Sequence, residues 1–128
     1  MNIAFDLHKT LDTHENIRRL FWLIVKSHTL GTNVFVISGP PEDEIREKLI
    51  NIGILATTPI HIISVVDYLK EKGIKFTLDK NNENWCNAAW WWRSKGFICD
   101  DYKIDILFDD KLDYKAHMPK HTNFIHIV

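Results

Sequence analysis

Apolar residues in this chain fall into short unbroken runs, separated by stretches where they recur every three or four positions. Unbroken runs fit strands buried on both faces, and the wider spacing fits amphipathic helices. Residues 2–6 predict the first buried strand. His14 to Thr29 carries Ile17, Leu20, Phe21, Ile24 and Val25 at helical spacing, with Asp12 or Thr13 as N-cap and Gly31 as the stop. Residues 33–37 predict a second strand ending at Ser38-Gly39. Pro40-Pro41 and the acids after them open a helix striped by Ile45, Leu49 and Ile52, with Gly53 behind it. For that helix Ser38 is also a plausible N-cap. Ile60 to Ile63 predicts the third strand, and Ser64 caps a helix through Lys72 that Gly73 stops. Ile74 to Leu78 alternates by two, like an edge strand with one wet face. Residues 79–84 form a polar loop. The tryptophan-rich segment beyond it predicts helix, followed by a helix capped by Ser94 and running to about Tyr102. Ile104 to Phe108 and Asn123 to Val128 are the remaining strands.

Strands alternating with helices predict a three-layer α/β/α, Rossmann-like domain with a mostly parallel sheet of about five strands. At 128 residues, 1–128 form a single domain large enough for one core. No linker, repeat or low-complexity tract divides it. Composition is ordinary, with 45% hydrophobic and 26% charged residues, so a disordered chain is excluded. The net charge of −1 supplies no basic footprint for nucleic acid. No apolar stretch approaches the length of a membrane span, and the acidic start is unlike a signal peptide. Cys86 and Cys99 lack paired metal-type spacing and read as reduced thiols, which places the protein in the cytoplasm.

In a parallel sheet the ligand site lies beyond the carboxyl ends of the strands. Three side chains with chemistry sit at such ends: Asp6, Ser38 and Asp109, the last followed by Asp110. Two carboxylates brought to about 4 Å repel by roughly 4 kcal/mol at an effective dielectric near 20. A divalent cation is the usual remedy.

The order of these elements carries a resemblance. An acid ends the first strand in Asp6-Leu7-His8-Lys9-Thr10-Leu11. A hydroxyl ends the second in Val36-Ile37-Ser38-Gly39. A lysine follows in Arg93-Ser94-Lys95-Gly96, and an acid pair ends a late strand in Leu107-Phe108-Asp109-Asp110. The pattern resembles the haloacid dehalogenase-like superfamily of phosphotransferases, over residues 3 to 113. No separate cap domain fits between these segments, so the resemblance is to a minimal, capless member.

The resemblance implies a Mg²⁺-dependent phosphohydrolase. Asp6 would attack phosphorus and form an aspartyl-phosphate. Mg²⁺ would be held by Asp6, Asp109 and the backbone carbonyl of His8, with Asp110 or Asp113 serving the metal through water. Ser38 and Gly39 would contact the phosphate, and Lys95 would neutralise charge on Asp6 and the phosphoryl group. Lys103 and Lys111 are rivals for that lysine. Phosphorylated small molecules or nucleotides are the implied substrates. The family's phosphatases place a second aspartate two residues after the nucleophile, where this chain has His8. Imidazole titrates near neutrality and can do acid–base work. The alternative is a catalytically weak or inactive binding module on the same scaffold, silenced by His8. A phospho-receiver domain is disfavoured, because receivers carry their acid pair on the first strand.

Five tryptophans are present, and Trp90, Trp91 and Trp92 are consecutive. On a helix they fan across about 200°, so at least one is exposed, covers a pocket or meets a partner. A stacking surface for a nucleobase or aromatic substrate is one use of such a ring. His117, His121 and His126 read as surface or strand residues rather than a metal site.

Overall fold

The computed structural model describes residues 1–27 and 31–128. Five parallel strands form the main sheet: β1 (Asn2–Phe5), β2 (Asn33–Ser38), β3 (His61–Ser64), β6 (Ile106–Asp109) and β7 (Asn123–His126). Their order is β3-β2-β1-β6-β7, and every neighbouring pair is parallel. The helices are α1 (Glu15–Ser27), α2 (Glu42–Asn51), α3 (Val65–Glu71) and α4 (Ala88–Asp101). Two short strands, β4 (Thr77–Leu78) and β5 (Asn84–Trp85), pair antiparallel as a separate hairpin.

Side-chain alternation sorts the core into two halves. Ile3, Phe5, Val34 and Val36 face α1 and α2, packing with Phe21, Val25, Ile45 and Leu49. Ala4, Phe35, Ile37 and Leu107 face α3 and α4, packing with Val65, Leu69, Ile98 and Cys99. This is the three-layer, Rossmann-like arrangement that the strand and helix pattern predicts. Phe5 stacks on Phe108 at 4.9 Å and meets Phe21 edge-on at 5.4 Å. Such pairs add about 0.5–1.5 kcal/mol each beyond the area they bury.

Several local expectations need correction. Residues 74–78 do not extend the main sheet. Ile74 is still closing α3, its N–H bonded to the Leu69 carbonyl, and Ile74 and Phe76 pack on the α3/α4 side of the core. Only Thr77 and Leu78 remain to pair, and both are exposed. Asp79 organises the loop beyond by accepting from the Asn81 and Glu83 amides and the Trp85 indole.

The tryptophan segment and the lysine segment form one helix, not two. Asn87 caps it by accepting from the Ala89 amide, and Ser94 is buried mid-helix, donating to the Trp91 carbonyl. A serine inside a helix bonds backward in this way as readily as it caps.

Ser38 does not cap α2. The residue at that helix's N-cap is Pro41, with no side-chain cap bond, and the Glu42 amide donates instead to Asp67 of α3. Residues 7–11 form a wide turn with Lys9 at φ +56°, so α1 begins at Glu15. The end expected at Thr29 lies outside the described residues. Ser64 does cap α3, accepting from the Asp67 amide at 3.0 Å.

Candidate functional site

The chain runs β1, β2, β3 outward on one side and then crosses back to β6 and β7 on the other. The reversal falls between β1 and β6, the crevice where ligands bind in open α/β sheets. Phe5 pairs with Phe108, and the Asp6 amide still donates to the Phe108 carbonyl at 2.9 Å. Asp6 and Asp109 therefore leave adjacent strand tips. The two-residue period puts Asp6 on the face of Ala4 and Asp109 on that of Leu107, which is the α4 face.

Lys95 reaches up from α4 between them. Its Nζ lies 3.1 Å from Asp6 Oδ1 and 2.5 Å from Asp109 Oδ2. All three side chains are withdrawn from water, with Lys95 2% exposed, Asp6 5% and Asp109 fully buried. The Lys111 amide holds the other oxygen of Asp109 at 2.9 Å. Tyr114, from the 3₁₀ helix Leu112–His117, lies 4.6 Å from the ammonium, presenting its ring face. Trp92 meets the same ring edge-on at 5.0 Å.

Asp110 completes the group. Oxygens of Asp6, Asp109 and Asp110 lie within 4.8 Å of one another, and they form the one such set of possible metal ligands among the described residues. Burial pushes the Asp6 carboxyl up to about 7; Lys95 opposes that shift, while Asp109 and a hydrogen bond with Asp110 add to it. Burial alone would lower the Lys95 ammonium, but Asp6 and Asp109 outweigh it and keep the amine protonated. Tyr114 is raised to about 12, chiefly by burial, against the pull of Lys95 and the neighbouring Trp91 side chain.

One lysine thus faces three carboxylates, and burial together with the neighbouring Asp109 favours the protonated form of Asp6. Hard oxygen donors in such a cluster suit Mg²⁺, which binds through one or two carboxylates and keeps waters. The donor set fits the ion.

The other expected residues divide. Lys103 and Lys111, the rival lysines, are exposed, and neither ammonium pairs with any of these acids. Ser38 is buried at the tip of β2, beside β1, and makes no hydrogen bond to Asp6, Lys95 or Asp109 among the described residues. Gly39 is half-buried against the Trp91 ring. The His8 side chain is 69% exposed, and its Nδ1 sits 3.5 Å from Asp12 Oδ2. Asp113 is exposed. His121 and His126 bond the carbonyls of Cys99 and Asp110, and neither belongs to a metal-holding group. Of the consecutive tryptophans, Trp90 is exposed while Trp91 and Trp92 are half-buried. Sequence reasoning missed Tyr114; its signal is a lone aromatic in the polar stretch after the acid pair. Two clefts, about 320 Å³ between α3 and α4 and about 300 Å³ beside Asn33 and His61, include none of Asp6, Asp109 and Asp110. No helix among the described residues is long and apolar enough to cross a membrane.

No protein-family model, curated protein or solved structure matches this chain.

Proposed function

We propose that the protein is a Mg²⁺-dependent phosphohydrolase of the haloacid dehalogenase type, acting on phosphomonoesters through Asp6. The observation that carries this reading is the Lys95 ammonium bridging Asp6 and Asp109 at the switch point of the sheet, with Asp110 alongside.

Phosphoryl transfer asks mainly for an in-line nucleophile and for positive charge around the transferred group. An Asp6 oxygen attacks phosphorus, the bond to the leaving alcohol breaks, and an aspartyl-phosphate forms. Water then cleaves the acyl phosphate, releasing phosphate and restoring the carboxylate. Lys95 keeps Asp6 in place and offsets negative charge as the phosphoryl group arrives. Asp6, Asp109, Asp110 and the His8 carbonyl would hold Mg²⁺, which when bound neutralises phosphoryl charge and ionises Asp6. Ser38, at the neighbouring strand tip, would donate to a phosphate oxygen. His8 would give the leaving oxygen its proton and later take one from the attacking water. Phosphorylated small molecules, including nucleotides, are the substrate class, and the cytoplasm is the compartment.

The test is phosphate release from an aryl phosphate with and without Mg²⁺. Wild-type protein should release it only with the ion, and the Asp6→Asn variant should release none. Metal-independent release, or release that survives Asp6→Asn, defeats the reading.

One observation favours a second reading, a binding module without turnover. His8 faces solvent and lies beside Asp12, and it does not belong to the carboxylate cluster. The second reading expects Mg²⁺ binding, detectable calorimetrically, without phosphate release. If His8 is a poor stand-in for an acid, His8→Asp should raise turnover tenfold or more, about 1.4 kcal/mol of barrier. A fall in turnover would instead make His8 the working acid–base group.

A further inference from the structure

We infer that Trp91 sets substrate preference at this site: its indole is a wall on which a flat aromatic group of the substrate stacks, so nucleoside and aryl monophosphates are preferred over sugar or alkyl phosphates. The inference rests on the phosphohydrolase reading and narrows its substrate class.

The argument begins with the direction of α4. Its C-terminal end meets the start of β1, where Asn2 Nδ2 donates to the Tyr102 carbonyl and the Asp105 amide to the Asn2 carbonyl. Its N-terminal end therefore lies toward the opposite edge of the sheet, where Asp6 and Asp109 emerge. Trp91 precedes Lys95 by one turn, and residues four apart share a helix face. The indole thus lies on the stripe of the bridging lysine, displaced outward over the strand tips.

Contacts fix the ring there. Trp91 Cζ2 and Cη2 sit 3.2 Å from where a Cβ on residue 39 would be, so Gly39 is the residue that lets the ring lie beside Ser38. The Trp91 indole also approaches Tyr114, the residue that covers Lys95. One edge of the ring is accordingly held between the end of β2 and the lysine cover, while the side chain as a whole stays only half-buried. A ring already held in place gives up little freedom on stacking. Its neighbours are committed elsewhere, Trp92 to Tyr114 and Trp90 to Phe97 at 6.2 Å.

Adenosine monophosphate and ribose 5-phosphate differ only by the base, which makes them the discriminating pair. With wild-type protein and Mg²⁺, kcat/KM should favour the nucleotide by about tenfold, the scale of one base–aromatic stack. Trp91→Leu should collapse that ratio toward one, and Trp91→Phe should restore most of it. In the wild-type chain, a non-hydrolysable phosphonate analogue of the nucleotide should shift the Trp91 indole N–H resonance, and the ribose analogue should not. That measurement needs neither turnover nor a stable variant.

Equal kcat/KM for the two esters with an unmoved Trp91 resonance overturns the stacking wall and leaves the phosphohydrolase standing. A Trp91 shift with no phosphate release overturns the hydrolysis and leaves the wall. Failure of both analogues to bind overturns both.

Discussion

A charged amine buried between two carboxylates is held by them, and they by it. Removing the cation from Lys95 leaves Asp6 and Asp109 facing each other in a site that excludes water. Losing one partner of a buried ion pair costs about 3–5 kcal/mol, far more than losing a surface pair. Lys95→Met keeps much of the apolar stem and should lower unfolding free energy in urea by that amount. Added Mg²⁺ should recover part of the loss, since it neutralises the same acids. A variant as stable as wild type would mean the three groups are not coupled.

Asp6 supplies a pH signature. Its carboxyl ionises near 3.8 in an unfolded chain and near 7 when folded. Between these values the folded state binds a proton that the unfolded state does not. The stability contributed by Asp6 therefore falls as pH rises from about 4 to about 7, and levels off above. Lys95 stays protonated across that window and adds no slope. A divalent cation takes the ionised carboxylate, so below pH 7 it must first displace the proton. The melting temperature should rise more with Mg²⁺ at pH 8 than at pH 5.5. Equal shifts at the two pH values would place the ion elsewhere.

Among the elements, α4 has the tightest constraint. A Cβ on Gly96 would stand 2.2 Å from the His117 carbonyl oxygen, a backbone atom of the 3₁₀ helix that also carries Tyr114. Neither helix can yield without moving Lys95 or its cover. Gly96→Ala should destabilise the protein by about 3 kcal/mol, at the upper end for overpacking, despite the better helix propensity of alanine. Chemical denaturation reads this directly, and a stabilised variant would show that the two helices are not in contact.

The same helix shows what a sequence can and cannot disclose. Asp6 and Asp109 were legible because strands end where apolar runs end, and alternation assigns their faces. Lys95 was one of three lysines, since only the packed position of α4 tells which one meets the acids. Ser94 looked like a helix start because serine caps helices well. Nothing local reveals that Asn87 already capped this one. Residues 74–78 had the right period for a strand, but Gly73 and Ile74 were consumed in ending α3. Tyr114 became part of the site through a contact across 19 positions of chain from Lys95, which no spacing encodes.

At the scale of the molecule, the parallel sheet gathers at one edge what the chain holds far apart. Asp6 and Asp109 belong to neighbouring strands, and every strand of the main sheet points the same way. The starts of those strands carry no such group of acids among the described residues. The site has a buried base and an outer rim: Asp110 is only partly covered, while Asp6, Lys95 and Asp109 lie beneath.

The last strand runs beside β6 and secures the loop after it. Asp109 faces His126, the Ile127 amide donates to the Asp109 carbonyl at 2.9 Å, and His126 Nε2 lies 3.0 Å from the Asp110 carbonyl. Val128, almost wholly exposed, projects from that same rim, whereas Met1 sits at the far edge of the sheet. A purification tag or fluorescent fusion attached at Val128 would crowd the rim that carries Asp110. Attached at Met1, the same cargo would hang from the opposite end and leave that rim clear.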